Sequence, residues 1–186
     1  MGLRGELNLS FLSCPDKEKT VDPVLLLSDP DSILKFCEKN QFITSKGNVD
    51  LFKFSKKIGI TVSTCPLDPG HSGALLLKDD SWKIILNKSE PEPRRRFTFA
   101  HELGHYFLHR QPVIDETINP IFHRDENKDS KEYAANSFAV NLLMPEDKIR
   151  ERLSQTHRTV KALADDFEVS VQSMTYRLGE LGYDVE

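Results

Sequence analysis

The sequence predicts an α+β fold: a small antiparallel or mixed three-stranded sheet packed on helices, with a helix-turn-helix-like pair at the C-terminal end. Three observations predict it. The β-branched, alternating run Ile60-Thr61-Val62-Ser63-Thr64 is followed by two more strand-like runs, at residues 74–78 and 82–86. Two long stretches of helical periodicity come next, at about 94–110 and 130–143. Residues 159–181 then read as two short helices, each with its own cap, joined by a tight turn.

Residues 1–30 carry a charged patch at Asp16, Lys17, Glu18 and Lys19 and are interrupted by Pro15, Pro23 and Pro30, which predicts an N-terminal extension. Asp31-Ser32 offers a cap for a short amphipathic helix bearing Ile33, Leu34, Phe36 and Cys37. Asn48 or Asp50 can cap a second helix, with Leu51, Phe52, Phe54 and Ile58 at helical spacing and Gly59 as its stop. Asp79-Asp80-Ser81 separates the second and third strands as a hairpin connection. Pro91 and Pro93 suit the start of the 94–110 helix, because first-turn amides have no intrahelical partner, and Pro112 follows its end. Residues 111–129 form a long loop of the kind that rims a cleft. Pro145 ends the 130–143 helix and can open another. Glu168-Val169 supplies the turn between the last two helices, and Gly182 can stop the second. The expected organisation is an extension over 1–30, a main domain over 31–145 and a C-terminal helical segment over 146–186 packed on it.

With 186 residues the chain can bury a substantial core as one domain. Its formal charge of −4 is no footprint for general nucleic-acid binding. Residues 148–186 hold six Lys and Arg against seven Asp and Glu, so the helix-turn-helix-like pair reads as a packing or docking element rather than a DNA reader. Cys14, Cys37 and Cys65 are scattered and odd in number, as in a reducing compartment. Apolar runs such as Val24-Leu25-Leu26-Leu27 are too short to span a bilayer, and no basic region leads into a signal-peptide core. A cytoplasmic protein is expected.

The chemistry concentrates in His101-Glu102-Leu103-Gly104-His105. On a helix, positions i and i+4 share a face, so both imidazoles can reach one metal ion. Glu102 lies beside them, where a general base for a water activated by the ion has to be. HExxH alone arises by chance in many proteins, so a third ligand is needed; catalytic zinc takes three protein ligands. The candidates downstream are His109, His123, the acidic residues of the 115–129 loop, and Glu132. His109 extends the row along the same helix, and three ligands in a straight row cannot surround one ion; it reads as a cleft-lining or surface histidine. Glu132 approaches from a separate helix, with Asn136 one turn later on the same face. A metal-bound histidine donates its other ring N–H to an oxygen, and the Asn136 carbonyl can accept it. The competing reading makes Glu132 the partner of Asp129 in a capping box; Asn136 inclines the balance to the ligand.

Taken together, these residues resemble the ImmA/IrrE family of bacterial and phage metallopeptidases. The resemblance is carried by residues 96–106, Arg-Phe-Thr-Phe-Ala-His-Glu-Leu-Gly-His-Tyr, then by Glu132-Tyr133-Ala134-Ala135-Asn136-Ser137-Phe138-Ala139, and by Leu142-Leu143-Met144-Pro145. The strand before the motif helix (84–87) and the segment 163–170 with Arg177-Leu178 also fit, so the likeness runs from about residue 48 to the end. It implies a zincin-like metallopeptidase domain with His101, His105 and Glu132 as metal ligands and Glu102 as catalytic acid/base. It also implies a substrate, a helix-turn-helix transcriptional repressor cut at one site to relieve repression.

Zn2+ is the expected metal, and Mn2+ or Fe2+ would accept the same two imidazoles and a carboxylate. Tyr133, His109 and His123 are candidates for polarising the scissile carbonyl. Tyr106 should face away from the metal and pack. Trp82, Ile84 and Leu86 are candidate substrate contacts, on a strand that either edges the cleft and pairs with an extended peptide or lies in the interior of a small sheet. Arg94-Arg95-Arg96 reads as a solvated helix surface, with one Arg able to pair with a carboxylate. Two other classes compete with the enzyme: a binding protein that holds a repressor without cutting it, and the toxin of a toxin–antitoxin-like pair. A structural zinc site would be closed by four ligands and rich in Cys, which favours catalysis.

Overall fold

The structure, a computed structural model, describes residues 27–109, 128–155 and 159–184. Most of the expected N-terminal extension, the 111–127 part of the long loop, and His123 lie outside the described residues. The helices are α1 (Pro30–Lys39), α2 (Leu51–Lys57), α3 (Glu92–His109), α4 (Lys128–Leu143), α5 (Glu146–Gln155), α6 (Val160–Phe167) and α7 (Val171–Glu180). Between α2 and α3 lie β1 (Thr61–Cys65), β2 (Gly73–Lys78) and β3 (Ser81–Asn87).

The fold is α+β with a mixed sheet of order β1-β3-β2. β1 runs parallel to β3, with Val62 opposite Ile84, and β2 runs antiparallel to it, with Leu75 opposite Ile84. Asp79 and Asp80 both take positive φ, 51° and 55°, which makes the β2–β3 connection a two-residue turn whose twist matches the strands. Ser81 is therefore already in β3, paired with Lys78, rather than part of the turn.

β3 is the central strand, so of the two places open to 82–86, cleft edge or sheet interior, it takes the interior. Strand order depends on long-range pairing that local pattern does not encode. The free edge nearest α3 belongs instead to β2. Asn87 N–H donates to the Ser72 carbonyl at 2.8 Å, so the pairs at Gly73, Leu75 and Leu77 are the non-hydrogen-bonded ones. Their main-chain groups point to the outer edge of β2. Gly73 also lets the strand press on α3, since a Cβ there would lie 2.6 Å from Thr98 Cγ2.

α1 starts one turn earlier than expected. Asp29 is the cap, accepting from Ser32 N–H at 2.9 Å and Ser32 Oγ at 2.7 Å, and Pro30 is the first helical residue. Asp50 caps α2 through Lys53 N–H, and Gly59 follows its end with φ +80°. Thr159 and Ser170 cap α6 and α7, and Glu168 takes the left-handed conformation between them.

One core links all these elements. Ile33, Phe54, Ile84, Leu86, Phe99 and Leu103 are fully buried in it, as are Leu142, Met144, Ile149, Leu163 and Met174. The rings of Phe54, Phe107 and Phe138 stack in series at 6.1 and 5.8 Å and join α2, α3 and α4. Two arginines clip helices together. Arg177 donates from Nε to the Met144 carbonyl at 3.2 Å and from Nη2 to Asn141 Oδ1 at 2.9 Å, tying α7 to the end of α4. Arg96 donates to the Val49 carbonyl and lies 3.7 Å from the Glu168 carboxylate. Arg94 also lies 3.8 Å from a carboxylate, that of Glu90, but its side chain is exposed, whereas Arg96 is inward-facing rather than solvated. Among the described residues, no helix is long and apolar enough to cross a membrane.

Candidate active site

α3 carries His101, Glu102, His105 and His109, while α4 carries Glu132 and Asn136. The two helices meet at Gly104. A Cβ there would stand 3.1 Å from both Cα and O of Ala135, and 3.3 Å from Phe138 Cβ. Glycine in mid-helix costs about 1 kcal/mol against alanine. In return the two backbones approach closely enough for a side chain of α4 to reach the histidines.

Three donors converge there. His101 Nε2 and His105 Nε2 are 3.0 Å apart, and the Glu132 carboxylate oxygens lie 3.3 Å and 3.5 Å from them. Among the described residues this is the group of His, Cys, Asp and Glu able to hold a metal, its ligand atoms all within 4.8 Å of one another. Ligands at 2.0–2.1 Å in a tetrahedron sit roughly 3.3 Å apart, so two imidazole nitrogens and a carboxylate at these separations fit zinc. Asp129 lies inside the first turn of α4 rather than at a cap, so the capping-box alternative for Glu132 falls away.

The other ring nitrogens of the histidines also have partners. His101 Nδ1 is 2.9 Å from Asn136 Oδ1, and His105 Nδ1 is 3.1 Å from His109 Nδ1. Burial pushes the His105 pKa down to about 3, with His101, His109 and Lys131 adding to the effect, so its ring is neutral and keeps a lone pair at neutral pH. Burial and Lys131 likewise hold His109 below the ordinary histidine range. Glu102 is buried beside the cluster and pushed up to about 7, by burial first and by the Glu132 charge second. A hydrogen bond from the Leu75 N–H of β2 acts the other way.

The remaining expected site residues are scattered. Ile84 and Leu86 are buried in the core under α3, and Trp82 packs edge-on against Tyr106 at 5.5 Å. Ile84 and Leu86 are core residues of a central strand rather than substrate contacts, while Trp82 is only partly buried against that core. Tyr106 turns away from the cluster and packs, as expected. Tyr133 is 77% exposed and outside the cluster. Three contributors were missed. Gly104 had a signal, an isolated glycine within helical periodicity. Leu75 and Lys131 had none, because one acts through its main chain and the other through proximity alone.

The profile of the Peptidase_M78 family, the IrrE N-terminal-like domain, matches residues 55–179. The chain is 34% identical over 100 residues to the radiation response metalloprotease IrrE of Deinococcus radiodurans, which covers 52% of this chain and 30% of that protein. It is 29% identical over 117 residues to metallopeptidase ImmA of Bacillus subtilis, covering 62% of this chain and 68% of that one. The match thus spans less than a third of IrrE and about two thirds of ImmA. Among solved structures, a Mycobacterium tuberculosis transcriptional regulator aligns with a TM-score of 0.57 at 15% identity, over 81% of this chain and 46% of that chain. That likeness concerns the fold alone. The family profile covers well over half of the chain and takes in the whole His/His/Glu cluster. The chain belongs to the Peptidase_M78, or ImmA/IrrE, family of metallopeptidases.

Proposed function

We propose that this chain is a zinc-dependent endopeptidase that cleaves a helix-turn-helix transcriptional repressor at a specific site in the cytoplasm. The observation that carries the reading is the closure of the two-histidine face of α3 by Glu132, with Glu102 buried next to it. His101, His105 and Glu132 would hold the metal, which when bound supplies Lewis acidity toward the scissile carbonyl. Glu102 is suited to take a proton from the attacking water and deliver it to the leaving amine. A carboxyl whose pKa lies near neutrality can do both. Asn136 orients His101 by accepting its Nδ1 proton.

An extended substrate segment would lie along the outer edge of β2. The outward-facing main-chain groups of Gly73 and Leu77 and the carbonyl of Leu75 offer it strand pairing, while the Leu75 N–H is engaged by Glu102. The repressor as substrate rests on the family likeness. Cys37 and Cys65 are free thiols, in keeping with a reducing compartment.

The test is to incubate the zinc-loaded chain with a helix-turn-helix repressor encoded beside it and analyse the mixture by mass spectrometry. A single defined cut, absent with Glu102→Gln, is expected. A stable complex with bound metal and no cut would replace the peptidase by a binding protein.

A further inference from the structure

We infer that His109 is a positioning residue for His105: its Nδ1 accepts the Nδ1 proton of His105 and so turns the His105 Nε2 lone pair toward His101 and Glu132. The inference rests on the metallopeptidase reading above and adds to it a residue with no direct contact to metal or substrate.

His105 Nε2 is the atom 3.0 Å from His101 Nε2 and 3.5 Å from Glu132. A neutral imidazole carries one proton, so an Nε2 lone pair is available only when the proton is on Nδ1. His105 is 3% exposed, so solvent offers that proton little. His109, one turn further along α3, brings its own Nδ1 to 3.1 Å of it. For this contact to be a hydrogen bond, one of the two nitrogens must donate and the other accept. With the proton on His105 Nδ1, His109 accepts and carries its own proton on Nε2. The reverse arrangement would put a proton on His105 Nε2 and close that site to a metal.

The same geometry shows why His109 is not itself a ligand. Its Nδ1 is directed at the far side of the His105 ring, and the converging group consists of His101, His105 and Glu132. The two histidine ligands are therefore oriented by different means. An amide oxygen reaches His101 from α4, and a ring nitrogen reaches His105 from its own helix.

Two variants of the full chain test this, His109→Phe and His109→Asn, with zinc affinity read by competition against a chromophoric chelator. Phe keeps the ring bulk and removes the acceptor; zinc should bind ten- to a hundredfold more weakly. Asn places an oxygen near the former Nδ1 and should restore affinity close to wild type. Equal affinity of the Phe variant and wild type would overturn the role, and so would an Asn variant as weak as Phe. A second readout needs no variant. In the zinc-loaded wild-type chain with 15N-labelled histidine, a nitrogen–nitrogen coupling across the hydrogen bond should link His105 Nδ1 and His109 Nδ1. A proton found on His105 Nε2, or no such coupling, defeats the inference. A wild-type chain that binds no divalent metal would bring down the metallopeptidase reading itself, whereas bound metal with an unaffected Phe variant removes only the role of His109.

Discussion

α4 is joined to α3 and to α7 in opposite ways. Besides the Phe107–Phe138 stack, its junction with α3 sets main chain against main chain: the space a Gly104 Cβ would need lies 3.1 Å from Ala135 backbone atoms, and nothing flexible stands between at that point. Its polar junction with α7 runs through one long side chain, the Arg177 guanidinium, donating to the Met144 carbonyl and to Asn141. A long side chain absorbs shifts of several tenths of an ångström, whereas touching backbones absorb almost none. The rigid junction is the one that sets Glu132 against His101 and His105, where a metal site tolerates errors of about 0.5 Å. The compliant junction only has to keep a helix attached.

The largest effect belongs to Glu102→Gln, which leaves both junctions intact. Cleavage should fall by roughly 10²- to 10⁴-fold, with zinc content unchanged, in a peptide-cleavage assay paired with metal analysis. Loss of metal along with activity would mean that Glu102 builds the site rather than acts in it.

The same variant has a signature in the metal-free protein. The folded-state pKa of Glu102 is raised from 4.5 to about 7, so the native state favours the protonated form and loses stability as pH rises between those values. His105 is depressed from 6.5 to about 3, so its contribution runs the other way and stability is lost as pH falls below 6.5. Glu102→Gln removes only the first of these. Urea denaturation should find the variant more stable than wild type at pH 8, by on the order of 2–3 kcal/mol, with the advantage vanishing near pH 4.5. An advantage independent of pH would mean that the carboxylate is not what is being relieved.

Gly104→Ala attacks the rigid junction. The added methyl meets backbone, which cannot step aside, so an overpacking cost of about 1–3 kcal/mol outweighs the gain of up to ~1 kcal/mol in helix propensity. Zinc affinity should fall in parallel as Glu132 is pushed back. Arg177→Met attacks the compliant junction and should cost a similar ~1–3 kcal/mol of stability while leaving zinc affinity alone. If it weakens zinc binding as much as Gly104→Ala does, the two junctions are not distinct. The smallest effect is expected from Tyr133→Ala, where the exposed ring should be replaced with no change in metal binding or turnover.

The site was legible in the sequence to the extent that helical geometry alone places it. His101, His105 and the Glu132–Asn136 pair share faces by spacing, so the expected cluster needs only that two helices meet. That they meet at Gly104, and that the Leu75 main chain reaches Glu102, depends on packing and strand order. The hairpin was readable because two consecutive aspartates between strand-like runs suit a turn, whereas the choice between edge and interior for β3 was not, because β1 pairs with it across an intervening strand. In the sequence Pro30 reads as an interruption, although proline is as much at home in a first helical turn as outside a helix. Arg96 differs from Arg94 and Arg95 only by the face of α3 on which it falls, and the run of identical residues hid that difference.

Glu132 follows His105 by 27 positions and belongs to a different helix. An ion gripped by both would act on the chain as a cross-link, closing a loop whose constraint on the unfolded ensemble is roughly 3–4 kcal/mol by the chain-entropy relation used for disulfides. Unlike a disulfide, that staple can be withdrawn by a chelator without any redox chemistry. Metal supply would then govern how long the folded protein survives as well as how fast it works, and starvation for the ion would mark the chain for proteolysis.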